Sequence, residues 1–187
     1  TGTGIEELKR VLAGLCGAAG GPTASPPFRM PIDRAFVVQG HGTVVTGSVV
    51  SGALAAGDEV EWHKGDGTSE LVRVRGLNNH GRPADEVRRG QRAAVNLAGV
   101  PHESVRRGQE LARPGYLAPS KVLTVRLSVS ADSRHPIRHR LPVRLHLGTA
   151  EVLGTVSLLD ADALNPGERG PAQLFLAEPV TAVWGQP

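Results

Sequence analysis

GHGTVVTGSVVSGALAAGDEV, residues Gly40 to Val60, decides how the rest of the chain is read. Glycines stand at 40, 42, 47, 52 and 57, and between them lie small and β-branched residues with almost no charge. β-Branched residues favour strands, and glycine serves where a turn needs positive φ or where another backbone comes close. Gly40 and Gly42 therefore flank a turn with His41 at its tip. Gly47, inside a strand, marks a bulge or a close approach. Gly52 and Gly57 mark the next turns.

Working outward, the same period-two pattern recurs on both sides. Residues 35–38, 43–50, 59–62, 71–77 and 92–99 read as strands separated by Gly-, Asp- and Asn-containing turns. In LVRVRGL (71–77), Val72 and Val74 face one way and Arg73 and Arg75 the other. ARPGYLAPS (112–120) breaks the pattern, and a second set follows at 121–130, 141–147, 150–159, 172–178 and 180–184. No long helical pattern interrupts either set. Short strands at this spacing predict an all-β architecture of two consecutive small antiparallel β-barrels, over 28–115 and 116–187.

Ahead of them, residues 1–19 carry Ile5, Leu8, Val11, Leu12 and Leu15 at helical spacing, with Thr3 and Glu6 in a capping-box pattern. Such a helix either lies across the domain that follows or is the last helix of a domain upstream. GGPTASPP (20–27) is a linker by composition. The start at Thr1 and the end in WGQP lead us to expect a piece of a longer protein, with the second barrel cut short.

The 187 residues are 40% hydrophobic but only 3% aromatic, so the cores must be built of Val, Leu, Ile and Ala. The net charge is +3, and arginine outnumbers lysine 18 to 3. Arginine's planar fork suits phosphate, although a GC-rich genome would enrich it equally. A single cysteine, Cys16, excludes an intrachain disulfide and favours a reducing compartment. No apolar run is long enough to span a membrane as a helix.

PFRMPIDRAFVVQGHGTVVTGSVVSGALAAGDEV (27–60) and RRGQRAAVNLAGVPHESVRRGQELARPG (88–115) resemble the start and end of the second domain of elongation-factor-Tu-like translational GTPases. RHPIRHRLPVRLHLGTAEVLGTVSLLD (134–160) resembles their third domain, and residues 1–15 resemble the last helix of their GTP-binding domain. IDRAF followed by the Gly-x-Gly-Thr run, and VRVRGLNNHGRPADEVRRGQR, are most similar to the selenocysteine-specific branch, SelB.

The resemblance implies a cytoplasmic, monomeric factor that delivers selenocysteyl-tRNA to the ribosome. GTP and Mg would be bound by a separate GTP-binding domain, and an mRNA hairpin by a further C-terminal region. The alternatives are barrels of another translational GTPase carrying ordinary aminoacyl-tRNA, and a structural docking module without RNA affinity. This stretch has no Gly-x-x-x-x-Gly-Lys-Ser/Thr motif, its lysines being Lys9, Lys64 and Lys121, so neither nucleotide binding nor catalysis is expected of it.

In this family the second domain meets the aminoacylated end of the tRNA, which makes Asp33, Arg34, His41 and Arg75 the candidate contacts. Asp33 would orient the Arg34 guanidinium, Arg75 projects from the polar side of its strand, and His41 could give a proton to a selenolate. Each also has a plain reading: a surface ion pair, a solvated strand residue, a polar turn residue. Arg134, His135, Arg138, His139 and Arg140 form a basic loop that faces either RNA phosphate or solvent. Prolines 136 and 142 argue against a helix that would align His135 and His139 on a metal. No cofactor or metal is expected in this stretch. No nucleophile, base and orienting group can be singled out for catalysis.

Overall fold

The computed structural model describes residues 2–18, 26–40 and 42–186, without the side chains of residues 16–18. Helix α1 runs Ile5–Ala18. It starts one residue after Gly4, whose φ is +88°, and Thr3 makes no capping bond among the described residues. The apolar stripe read from the sequence is real but bare: Ile5, Leu8, Val11, Leu12 and Leu15 are each about half exposed or more. The helix therefore does not bury this face on the barrels. Most of the 20–27 linker, like His41, lies outside the described residues.

The first barrel contains β1 (Arg29–Val38), β2 (Gly42–Ser48), β3 (Ala53–Ala55), β4 (Glu59–His63), β5 (Ser69–Asn79), β6 (Arg82–Ala84), β7 (Glu86–Arg88), β8 (Arg92–Leu97) and β9 (Glu110–Ala112). Six of them close a ring in the order β4-β9-β1-β2-β8-β5, because β5 also pairs with β4. Alternation along each strand sends one set of residues inward. Met30, Ile32, Val45, Val60, Trp62, Val72, Val74, Val95, Leu97 and Leu111 are almost completely buried there. The expected split of β5 holds: Val72 and Val74 are buried, and Arg73 and Arg75 are exposed.

Gly47 has the close neighbour its position implied. A Cβ on it would lie 2.2 Å from the carbonyl oxygen of Pro31 and 2.9 Å from Met30 Cγ. The missing side chain lets β1 press onto β2 where β1 carries its bulge. Ile32 pairs with Gly47 and Arg34 with Thr46, leaving Asp33 as the extra residue.

The second unit contains β10 (Pro119–Ser128), β11 (Ile137–Arg138), β12 (Pro142–Leu147), β13 (Ala150–Leu158), β14 (Ala163–Leu164) and β15 (Arg169–Thr181). Strands β10-β15-β13-β12 form one sheet, and β11-β14 a two-stranded ribbon. Val152, Val156, Leu158, Leu164, Leu174 and Leu176 fill the core. The sequence pattern gives two strands at 172–178 and 180–184, but the chain forms one, β15, which runs through Pro179. That residue falls where the β10–β15 register slips, between the Ser120–Val180 and Val122–Phe175 pairs. No ladder hydrogen bond is required of it there.

The two units meet along the ends of β1 and β9. Thr149 Oγ1 donates to the Ile32 carbonyl at 2.7 Å. Arg29, buried with Glu110, donates to its carboxylate through Nε at 2.8 Å and Nη2 at 3.2 Å. The second unit completes this cluster: Thr181 Oγ1 donates to Glu110 at 2.6 Å, and Gln186 Oε1 accepts from Arg29 Nη1 at 3.1 Å.

Candidate functional site

The bulge in β1 brings Asp33 to the outer face of the first barrel. There it meets a residue that the sequence reading did not single out. Arg92, at the start of β8, reaches across β2 and donates to both carboxylate oxygens of Asp33, at 2.5 and 3.0 Å. Thr46 on β2, between them, donates its hydroxyl to Asp33 Oδ1 at 2.7 Å. Burial alone would raise the Asp33 pKa. Hydrogen bonds from Arg92 and Thr46, with the charges of Arg92 and Arg34, more than offset this and hold the carboxyl below its usual range. The same bond raises the Arg92 pKa.

Asp33 is thus committed to Arg92 and does not hydrogen-bond to its neighbour Arg34 in the way the adjacent pair suggested. Arg34 is exposed and makes no hydrogen bond or ion pair among the described residues. The result is one neutralised pair with a free guanidinium beside it. Two rows of residues extend the surface across β1, β2 and β8: Arg34, Thr46 and Ala94, then Phe36 and Asn96, with the buried Val44 between the last two. The intervening row, Ala35, Val45, Val95 and Leu77, faces the core. A hollow of about 200 Å³ opens beside Arg92, lined by Asn78, His80, Gly81, Ala93 and Ala94.

Arg75 is not part of this cluster. It is the extra residue of a bulge in β5, between the Val74–Leu97 and Gly76–Asn96 pairs. Strands β1 and β5 are three steps apart whichever way the ring is followed. Arg34 and Arg75 therefore leave the barrel from opposite sides. His41 lies outside the described residues. Arg134, His135, Arg138, His139 and Arg140 are all exposed, on the segment before β12 that includes β11. None of their side chains forms an ion pair among the described residues. His135 lies in a bend and His139 in a turn, and no helix aligns them.

Arg92 escaped the sequence reading because its partner is 59 residues away. The usable signal was an arginine opening a strand, in RRGQRAAVNL, with its outward positions otherwise small or polar.

Comparison with known proteins follows the same division of the chain. Residues 42–112 match the family model described as elongation factor Tu domain 2. Residues 124–186 match that of the β-barrel domain of selenocysteine-specific elongation factor. A selenocysteine-specific elongation factor from Desulfomicrobium baculatum is 42% identical over 185 residues, covering 99% of this chain and 29% of its own length. One from Haemophilus influenzae is 32% identical over 187 residues, covering 99% of this chain and 28% of its own length. A crystal structure of the bacterial selenocysteine-specific elongation factor EF-Sec superposes with a TM-score of 0.78 at 29% identity, over 99% of this chain and 29% of that one. The chain thus spans under a third of the length of these relatives.

Proposed function

The chain carries two domains of the selenocysteine-specific elongation factor family, and on that premise we propose that its barrels hold selenocysteyl-tRNA for GTP-dependent delivery to the ribosome. The aminoacyl end lies on the outer face of β1, β2 and β8. The observation that carries this reading is the free Arg34 guanidinium beside the Asp33–Thr46–Arg92 cluster. Selenocysteine and serine differ by one atom, and a pocket that reads size separates them poorly. A pocket that reads charge does better. Even a thiol ionises near pH 8.5, and the more acidic selenol is an anion at neutral pH, whereas the serine hydroxyl is neutral. Arg34 pairs with that anion. Arg92 neutralises Asp33, so that its carboxylate does not repel the selenolate. The basic segment Arg134 to Arg140 contacts phosphate along the stem. GTP and Mg are held by another domain of the parent.

The test uses the intact parent loaded with GTP, and one tRNA charged with either selenocysteine or serine. Removing a charge-assisted contact worth about 1.5–3 kcal/mol corresponds to roughly 10–100-fold in affinity. Arg34→Ala is expected to cut the preference for the selenocysteyl form by that factor and leave seryl-tRNA binding almost unchanged. Arg92→Ala should also cut the preference, while costing under about 1 kcal/mol of stability, because the pair is partly exposed. Equal binding of both tRNAs by wild type would defeat the charge-reading pocket and favour a carrier of ordinary aminoacyl-tRNA. No binding at any salt concentration would favour a docking module.

A further inference from the structure

His63 closes β4 and is 3% exposed, yet neither ring nitrogen has a hydrogen-bond partner among the described residues. It pairs across the β4–β9 ladder with Glu110, the carboxylate that Arg29 and Thr181 share at the joint between the barrels. Residues directly opposite on a ladder have Cβ atoms about 5 Å apart. Three charged groups act on the imidazole: Glu61 of its own strand, at 3.7 Å, Glu110 of β9, and Arg29 of β1. Across β5 its neighbour is the uncharged Ser69. Lys64 and Asp66 after β4, Glu103, Arg106 and Arg107 before β9, and Lys121, Glu151 and Glu178 of the second unit line the same inter-barrel cavity, of about 790 Å³.

We propose that His63 makes the joint between the two barrels sensitive to acid: once its imidazole takes a proton, Glu110 is drawn from Arg29 and Thr181, and the second barrel is released. A protonated imidazole would stand between Glu61 and Glu110 and beside Arg29, competing with Arg29 for the carboxylate that Thr181 ties to the second unit. Opening the joint wets the imidazole and lets it charge freely, so acid favours the open arrangement by linkage. Burial pushes the His63 pKa below the ordinary 6.5, with Glu61 and Glu110 opposing and Arg29 assisting. A histidine held neutral in the closed form leaves the joint intact above pH 6.5. The joint weakens as the pH falls below that value towards the depressed pKa.

Small-angle scattering and far-UV circular dichroism on the 187-residue chain, from pH 7.5 to 5, test this. Wild type is expected to lengthen in weak acid while its β-sheet signal persists. His63→Gln, which cannot take the proton, should stay compact over the same range. Thr181→Val keeps His63 but removes one tie, and it should open at higher pH than wild type. This second variant decides the matter if the glutamine variant fails to fold. Opening of His63→Gln at the wild-type pH, or no pH shift with Thr181→Val, overturns the proposal. So does a wild type that stays compact until its sheet signal is lost.

Discussion

Replacing Arg29 by methionine is expected to destabilise the chain by about 3–5 kcal/mol, the usual cost of stranding one member of a buried ion pair. Both side chains are 5–7% exposed, so water cannot solvate the carboxylate left behind. Thr181 would still donate to Glu110, but one hydroxyl does not balance a buried charge. Urea denaturation at pH 7.5 reads the loss. The double variant Arg29→Met, Glu110→Leu should recover most of it, because it removes the stranded charge along with its partner. A single-variant loss under 1 kcal/mol would mean that the pair is hydrated and that the joint is held elsewhere, at Thr149 and Ile32 for instance.

That pair also marks where reading the sequence stops. The long strands were legible because alternation over seven or more residues leaves few other solutions. Strands β3, β6, β7 and β9, three residues each, are too short for alternation to register. Strand β9 matters most, since Glu110 lies on it, and a glutamate in GQELA carries no local sign that it will be buried. Its burial follows from an arginine 81 residues away. The same limit separated Asp33 from Arg92. Asp33 and Arg34 fall in the site region through the resemblance of IDRAF to a known motif. Adjacency then suggests the pair Asp33–Arg34. The bulge and the crossing of β2 produced Asp33–Arg92 instead. Two arginines three strands apart on a closed ring, Arg34 and Arg75, cannot be told from neighbours until the ring order is known.

Gly47 was legible as a special position, and a contrast within the barrel shows how much depends on it. Gly47→Ala is expected to cost about 3 kcal/mol, the upper end for overpacking. The new methyl group would meet the Pro31 carbonyl oxygen at 2.2 Å, and a backbone oxygen in a paired strand cannot turn aside as a side chain can. Strand β1 must lift from β2 at the bulge itself. Asp33 then moves relative to Thr46 and Arg92, and the bidentate bond loosens. The same substitution at Gly76, inside β5, meets nothing within 4 Å. It should be neutral, or stabilising by about 0.4–1 kcal/mol through the unfolded chain. Urea denaturation of the two variants side by side separates the carbonyl contact from any general intolerance of alanine for glycine. Equal effects at the two positions would show that β1 adjusts freely and that Gly47 does not set the bulge. In the intact parent, Gly47→Ala should also lose the selenocysteyl preference, and Gly76→Ala should keep it. On the proposed function, a backbone contact would then govern the reading of the aminoacyl group as directly as the Arg34 guanidinium.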